Sequence, residues 1–211
     1  MSYSGDRAPP EPIGVVLAGG VGRRLAGPGA GGKAVVELGG RPLISYPLAA
    51  LAAALGQVAV LAKPDTRLPE LPGVTVWREP AEPRHPALGI WHALRLAAGR
   101  PVLVCPLDMP LLSAELIAEL AAAQPGSAPA VIAARGGEIQ PLLGCYQPRA
   151  RERLALERAR GGAPLRELVH ALGPRLLEVG DPDLLLNVNR PEDLRRAESL
   201  LARRAGRASR T

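Results

Sequence analysis

The sequence predicts a single α/β domain in which a mostly parallel central sheet is flanked by helices on both faces, giving three layers. Short apolar runs alternate with longer helical stretches, a pattern typical of this architecture. The length of 211 residues suits one domain, and a hydrophobic content of 47% supplies a core. Phe is absent and aromatic residues make up only 2%, so we expect a core of Leu, Val and Ala.

The first strong element is an apolar strand that runs into a glycine-rich loop, over residues 13–33. Glycines at the start of the loop remove side chains, so backbone N–H groups can approach a polyphosphate closely. Two arginines within the loop and a lysine at its end add positive charge. The candidate nucleotide-binding residues of this element are Leu17, Ala18, Gly19, Gly20, Gly22, Arg23 and Lys33.

Two common phosphate-binding motifs fail to match this loop. Residues 20–25 begin like a dinucleotide-binding fingerprint but lack its third glycine. Residues 27–33 have the spacing of a P-loop, but Ala34 stands where a Ser or Thr hydroxyl would hold magnesium. A third pattern, LAGG-x-G-x-R-L followed by Lys33, fits the loop.

The next part of the chain predicts a helix and two strands. Pro42 in a first helical turn and Gly56 at the far end bound the helix, and Pro47 lies inside it as a potential kink. Strands follow at residues 58–62 and 74–77. A proline-rich loop then passes into a further helix near Pro86.

The second strong element is the apolar strand at residues 101–106, which leads to Asp108. Ligands of open α/β sheets bind beyond the carboxyl ends of the strands, where Asp108 falls. A helix-capping role is unnecessary, because Ser113 already provides a cap for the following helix. A buried carboxylate must be paired or bind a metal, and beside a triphosphate the metal is magnesium.

The last third of the chain predicts strands at 129–134 and 140–146, two helices, an edge strand at 174–179 and a final helix from Pro191. Asn187 and Asn189 immediately precede that helix. They lie two residues apart on an extended segment, so their side chains point the same way. Two interpretations stay open: both bind a polar acceptor, or Asn189 caps the helix while Asn187 closes a turn.

Four motifs in this order resemble one protein family: LAGG-x-x-R-R-L, GGRPLI, DMPL and NVN-x-PEDL. Together, over residues 13 to about 200, they look like the molybdenum cofactor guanylyltransferases of the MobA type, which are nucleotidyltransferases with a GT-A-like, Rossmann-like domain. The sequence departs from the family pattern in three places. The loop before the lysine is longer, Gly32 replaces the usual Asp, and His85 replaces the first glycine of a turn.

The resemblance implies that the chain transfers GMP from GTP to a phosphorylated, molybdopterin-type acceptor and releases pyrophosphate, with Mg2+ as cofactor. Arg23 and Lys33 would neutralise charge on the α-phosphate, and Asp108 would hold the metal. Glu79 is the match to an acidic residue that contacts guanine, although it could be a plain loop carboxylate. Asn187 and Asn189 would lie on the acceptor side.

Three other expectations concern single residues and the choice of activity. Lys63 is expected to be solvated rather than to contact the base, and His85 to be a loop residue rather than a general base. A related cytidylyl or sugar-phosphate nucleotidyltransferase remains an alternative. So does a nucleotide-binding regulatory protein without turnover, which the altered loop before Lys33 suggests.

Composition limits the partners and the domain organisation. Residues 1–12 are expected to form a flexible lead-in, 13–202 the domain and 203–211 a basic, disordered tail. From Arg195 onward there are six arginines and one acid, Glu198, which account for +5 of the net charge of +6 and are expected to be a solvated helix end and tail, so we expect no nucleic-acid partner. Cys105 and Cys145 predict reduced core residues, and no signal or membrane segment is apparent. We expect a cytoplasmic monomer or weak homo-oligomer without membrane contact.

Overall fold

The computed structural model describes residues 10–19, Leu25, 32–159 and 163–208. Nine strands and six α-helices lie within these ranges, with short 3-10 turns at Lys33–Val35 and Pro182–Leu185. The strands are β1 (Ile13–Leu17), β2 (Glu37–Leu38), β3 (Arg41–Pro42), β4 (Val58–Ala62), β5 (Thr75–Arg78), β6 (Val102–Pro106), β7 (Ala130–Arg135), β8 (Glu138–Tyr146) and β9 (Arg175–Glu178). The helices are α1 (Ser45–Ala54), α2 (Pro86–Leu96), α3 (Ala114–Ala122), α4 (Ala150–Ala159), α5 (Leu165–Ala171) and α6 (Pro191–Ala208).

Seven of these strands form one sheet in the order β5-β4-β1-β6-β8-β7-β9. β5, β4, β1 and β6 are mutually parallel, and β9 is parallel to β7. β8 runs antiparallel to both of its neighbours. The predicted mostly parallel sheet is therefore confirmed, with β9 at an edge as expected.

Helices cover both faces of the sheet and create two cores. Val16 on β1 packs into a cluster with Leu51 of α1 and Ile117 of α3. The neighbouring Val15 faces the other side, where it packs with Ile90 of α2. Successive side chains of a strand point to opposite faces, so an apolar strand such as β1 serves both cores. The predicted three layers, with a core dominated by Leu, Val and Ala, are confirmed.

A tight hairpin joins β7 to β8 through Gly136 and Gly137. Their φ angles of 55° and 82° are both positive, as a two-residue turn of type I′ requires. Because β8 reverses direction here, its first residues lie at the same edge of the sheet as the carboxyl ends of the parallel strands.

The structure corrects the expected start of the first helix. Pro42 lies in β3, and α1 begins at Ser45, whose hydroxyl donates to Pro42 O at 2.7 Å. The GG pair of GGRPLI forms the turn between β2 and β3, which pulls Pro42 into a hairpin. Pro47 causes no break, because it lies in the first helical turn, where N–H groups have no intrahelical partner.

Both ends of the described chain are attached to the domain. α6 continues to Ala208, past the expected boundary at 202, and Arg204 donates to Leu111 O at 2.7 Å. Near the start, the Glu11 carboxylate accepts from the Gly56 amide at 2.9 Å. Within the described residues, the helices are all too short or too polar to span a membrane.

The two cysteines are confirmed as free and buried. Cys105 lies on β6 and Cys145 on β8. Burial raises the pKa of the Cys145 thiol to about 12 and that of Cys105 higher still, so both remain protonated, inert core residues.

We expect Gly144→Ala to destabilise the domain by about 1–3 kcal/mol, because overpacking a filled core forces the surrounding atoms to shift. A Cβ there would meet Val131 O at 2.6 Å and Ile132 Cδ1 at 2.5 Å, and the carbonyl belongs to the paired strand β7. Urea unfolding measures the change. Gly180→Ala is the matched control, since no atom of the described part of the chain lies within 4 Å of its Cβ position. Equal stability of the two variants would contradict the pairing of β7 and β8 at this point.

Candidate active site

The carboxyl ends of the four parallel strands meet at one edge of the sheet and carry the candidate functional residues. Gly19 follows β1, Lys63 follows β4, Glu79 follows β5 and Asp108 follows β6. Gln140, near the start of the reversed strand β8, lies at the same edge. Strand order therefore arranges these residues in the sequence Glu79, Lys63, Gly19, Asp108 and Gln140. All five line one cleft of about 1020 Å³.

A lysine, a carboxylate and an amide form the centre of the cleft. Lys33 Nζ lies 2.5 Å from Asp108 Oδ2 and donates to Asn189 Oδ1 at 2.7 Å. The side chains of Lys33 and Asp108 are 9% and 18% exposed. Charge-assisted hydrogen bonds between groups this well buried are strong and fix the ammonium group in position.

Lys33 lies at the start of a 3-10 turn whose preceding residue explains one departure of the sequence. Gly32 has a φ of 96° and a ψ of 164°, a backbone conformation that favours glycine. Within the described residues, no atom lies within 4 Å of the position where its Cβ would be. The backbone path into Lys33, rather than a lack of space, thus accounts for Gly32.

Asp108 has one oxygen that fits a cation. Oδ2 is paired with Lys33, whereas Oδ1 is buried and has no hydrogen-bond partner among the described residues. The same residues contain no group of three or more His, Cys, Asp and Glu side chains that could hold a metal ion by themselves. Magnesium is often bound by one protein carboxylate when phosphate oxygens supply its other ligands, so Asp108 Oδ1, which has no partner among the described residues, fits this role.

The structure shows what each residue of the asparagine pair contacts. Asn189 Oδ1 accepts from Lys33 Nζ, and at the start of α6 the Asp193 carboxylate accepts from the Asn189 and Arg190 amides, each at 2.9 Å. Asn187 does close a turn, donating to Leu185 O at 3.2 Å. Both side chains line the cleft, as their spacing predicted.

Lys63 and Glu79 form a buried ion pair at the other end of the cleft. Their side chains are 5% and 6% exposed, and Lys63 Nζ lies 3.6 Å from Glu79 Oε1. Burial raises the pKa of Glu79, and the positive charge of Lys63 opposes that rise. The expectation that Lys63 is solvated was wrong. It leaves an interior strand and lies beneath the loop after β5, where its Nζ donates to Pro80 O at 2.8 Å.

The expected roles of Ala18 and His85 have different outcomes. The Ala18 amide donates to Leu61 O at 2.8 Å, so it continues the sheet and is not free to bind phosphate, contrary to expectation. His85 is the N-cap of α2, with Nδ1 accepting from the Ala87 amide at 3.2 Å, which confirms a structural role. Its extended backbone, φ −141°, is open to any residue, so a histidine can replace the family glycine.

Several predicted nucleotide-binding residues cannot be placed. Gly20, Gly22, Arg23 and Arg24 lie outside the described residues. Leu17 ends β1 and lines the cleft with its side chain, which also lies under Gly89 of α2.

The fold and the site define a class of protein. Gly19 after the first strand, a buried lysine beside a carboxylate whose second oxygen has no partner among the described residues, and a cleft at the switch between parallel and antiparallel strands suit an enzyme that binds a phosphorylated ligand at this edge of the sheet. The MobA-like NTP transferase domain matches residues 14–176. The chain belongs to this family, and it is a nucleotidyltransferase.

Individual relatives agree with this membership. A molybdenum cofactor guanylyltransferase of Cereibacter sphaeroides is 35% identical over 196 residues, which cover 92% of this chain and 98% of the relative. A solved structure of molybdopterin-guanine dinucleotide biosynthesis protein A from Archaeoglobus fulgidus has a TM-score of 0.68 at 23% identity, covering 90% of this chain and 99% of that one. A 2-C-methyl-D-erythritol 4-phosphate cytidylyltransferase from Thermus thermophilus has a TM-score of 0.65 at 24% identity, covering 90% and 98%. The two structures share the fold.

Sequence reasoning missed the burial of Lys63 and the contact between Lys33 and Asn189. The burial of Lys63 could have been predicted from the sequence, because Lys63 follows an apolar strand in the same way as Asp108, and a charged residue at such a position faces the cleft. No sequence pattern indicated the contact between Lys33 and Asn189, since the two residues are 156 positions apart.

A double-mutant cycle should measure the link between Lys33 and Asp108. Combining Lys33→Met with Asp108→Asn is expected to give a coupling energy of about 1–3 kcal/mol in the free energy of unfolding, because the pair is buried and in direct contact. Chemical denaturation of the four proteins gives the value. The exposed pair Arg196 and Asp183, at 3.0 Å, is the control cycle and should give less than about 1 kcal/mol. Similar coupling in both cycles would show that Lys33 and Asp108 are not held together in solution.

Proposed function

We propose that this nucleotidyltransferase transfers GMP from GTP to a phosphorylated, pterin-type acceptor of the molybdenum cofactor pathway, with release of pyrophosphate. The single observation that carries this proposal is the cluster of Lys33, Asp108 and Asn189 in the middle of the cleft. The guanylyltransferase named above, similar over nearly its whole length, supports the choice of base and acceptor.

The order of residues along the sheet edge suggests how the substrates lie. Glu79 and Lys63 stand at one end, where the base of the nucleotide would bind. The triphosphate would cross the carboxyl end of β1, next to Gly19. The acceptor would then enter from the side of Gln140 and Asn187. This arrangement directs the α-phosphate to Lys33, between the two substrates.

In the reaction, an oxygen of the acceptor phosphate attacks the α-phosphorus of GTP in line. The bond from that phosphorus to the bridging oxygen breaks, and pyrophosphate leaves with both bonding electrons. Such chemistry depends on positioning and charge neutralisation rather than on a covalent nucleophile. Magnesium held by Asp108 would neutralise the phosphate oxygens.

Lys33 would act on the charge that develops during transfer. Its ammonium is already fixed by Asp108 and Asn189, so little reorganisation is needed when the α-phosphate arrives. Asn189 is thereby a positioning residue for Lys33 in addition to its place on the acceptor side. Arg23 would add a second positive charge from the glycine-rich loop.

The direct test is pyrophosphate release with each of the four NTPs, magnesium and molybdopterin-type acceptors. GTP should support turnover, and Asp108→Asn should abolish the magnesium-dependent rate while the fold remains, because the vacant oxygen of Asp108 supplies the protein ligand. Glu119→Gln, which removes an exposed carboxylate from α3, is the matched control and should keep the full rate. Faster turnover with CTP and a sugar-phosphate or alcohol-phosphate acceptor would establish the cytidylyl alternative instead.

Base selectivity should depend on Glu79 and on pH. A charged Glu79 can accept hydrogen bonds from guanine N1–H and N2–H, whereas adenine presents an acceptor there, so about a ten- to hundredfold preference for GTP is expected. Because burial raises the pKa of Glu79, the preference is complete above that raised pKa. The preference for GTP should fall as the pH drops through the pKa of Glu79. Because that pKa is raised, the loss should occur at a higher pH than it would for a solvent-exposed glutamate.

The ratio of GTP to ATP affinity is the appropriate measurement, since the phosphates of both nucleotides titrate alike. Glu79→Gln should lower the ratio and remove its dependence on pH. A ratio that is independent of pH in the unmodified protein would remove Glu79 from the base site.

A further inference from the structure

Lysine is used sparingly and only inside the cleft. The chain has 26 Lys and Arg residues, of which Lys33 and Lys63 are the only lysines. Both are buried, at 8% and 4% exposure, and both line the cleft. A lysine presents a compact ammonium with three donors, whereas an arginine presents a wide planar fork. Lys33 is proposed above to bind the α-phosphate. Lys63 lies at the other end of the cleft, and no role has yet been proposed for it.

The surroundings of Lys63 leave donors available to a ligand. Within the described part of the chain its Nζ donates one hydrogen bond, to Pro80 O at 2.8 Å. Glu79 Oε1 lies 3.6 Å away, which is an ion-pair distance rather than a hydrogen bond. An ammonium group has three N–H donors, so this one is buried without full use of them. Burial of unused donors is costly unless a bound molecule accepts from them.

Gly19 makes the space beside this pair. A Cβ at Gly19 would lie 2.6 Å from Glu79 Oε1 and 3.6 Å from Lys63 Cε. The glycine therefore lets the carboxylate and the ammonium lie directly against the backbone where the nucleotide-binding loop begins. A base attached to a nucleotide on this loop would meet both groups together.

We propose, resting on the guanylyl transfer proposed above, that Lys63 and Glu79 together bind the Watson–Crick edge of guanine, with Lys63 donating to O6 and Glu79 accepting from N1–H and N2–H. O6 and N1–H are neighbours on the ring, so a cation and an anion side by side match them in one orientation. Adenine reverses both groups, placing an amino group against the ammonium and an acceptor against the carboxylate. Lys63 is then a specificity-determining residue that touches the base.

Two nucleotide analogues separate the contributions of the two residues. 6-Thio-GTP keeps N1–H and the 2-amino group but replaces O6 with sulfur, a weaker acceptor. ITP keeps O6 and N1–H but lacks the 2-amino group. Affinities of GTP and both analogues would be measured for the unmodified protein, Lys63→Met and Lys63→Gln, without acceptor present. Lys63→Gln retains N–H donors, and thermal melting checks that each variant folds.

The unmodified protein should bind GTP about tenfold or more tightly than 6-thio-GTP, as expected for a hydrogen bond from a charged donor. Lys63→Met should bring this ratio close to one while keeping the preference for GTP over ITP, and Lys63→Gln should keep part of the first ratio. Equal affinities of GTP and 6-thio-GTP in the unmodified protein would overturn the assignment. So would loss of both ratios together in Lys63→Met, which would show that Lys63 acts only by supporting Glu79.

A direct readout uses the scarcity of lysine. Protein labelled with 13C-lysine should show two Cε signals, which Lys33→Arg and Lys63→Arg assign. GTP should shift both signals, whereas inorganic triphosphate should shift only the signal of Lys33. A Lys63 signal that does not shift when GTP is added would overturn the proposal.

The failure of this proposal can be distinguished from the failure of the proposed function. A protein that prefers CTP contradicts guanylyl transfer itself, whereas a protein that prefers GTP without discriminating against 6-thio-GTP contradicts only the role of Lys63.

Discussion

The hydrogen-bonded cluster of Lys33, Asp108 and Asn189 determines how the cleft is assembled. It joins three segments that lie 75 and 156 positions apart in the chain, and the Val188 amide adds a backbone bond to Asp108 O at 2.8 Å. Burying a carboxylate and an ammonium is costly unless each has a partner, so the contacts of this cluster favour one arrangement of these segments over the sheet edge. The geometry of the cluster thus contributes to the stability of the fold as well as to its proposed role in the reaction.

The sheet separates this cluster from the ion pair of Lys63 and Glu79, which lies at the proposed base-binding end. β1 stands between β4 and β6, so the Lys63 and Glu79 pair is kept apart from Asp108 by one strand. Each ammonium is adjacent to one carboxylate, and all four residues line the cleft. These two buried ion pairs, one proposed to bind phosphate and the other the base, therefore both arise because parallel strands end at one edge of the sheet.

Much of this organisation could be predicted from the sequence, because it depends on local patterns. The apolar runs gave β1 and β6, Ser113 was recognised as the cap of α3, and the position of Asp108 after its strand indicated the cleft. Errors arose where a distant or neighbouring segment decides the outcome. The hairpin before α1 draws Pro42 out of the helix, the sheet captures the Ala18 amide, and the loop after β5 covers Lys63. No local pattern records the first two of these contacts, whereas the position of Lys63 after an apolar strand does indicate the third.

The reversal of β8 has a consequence for how enzymes of this architecture diversify. The proposed nucleotide side of the cleft is built from parallel strands, and two of their connections contain the core helices α1 and α2, so a change in length there disturbs packing. The other side is reached through the Gly136–Gly137 turn, which is exposed and joins two strands directly. Lengthening such a turn costs little free energy. Insertions at this hairpin would therefore offer an evolutionary route to a new range of acceptors on the proposed acceptor side, with little disturbance to the parallel half of the sheet.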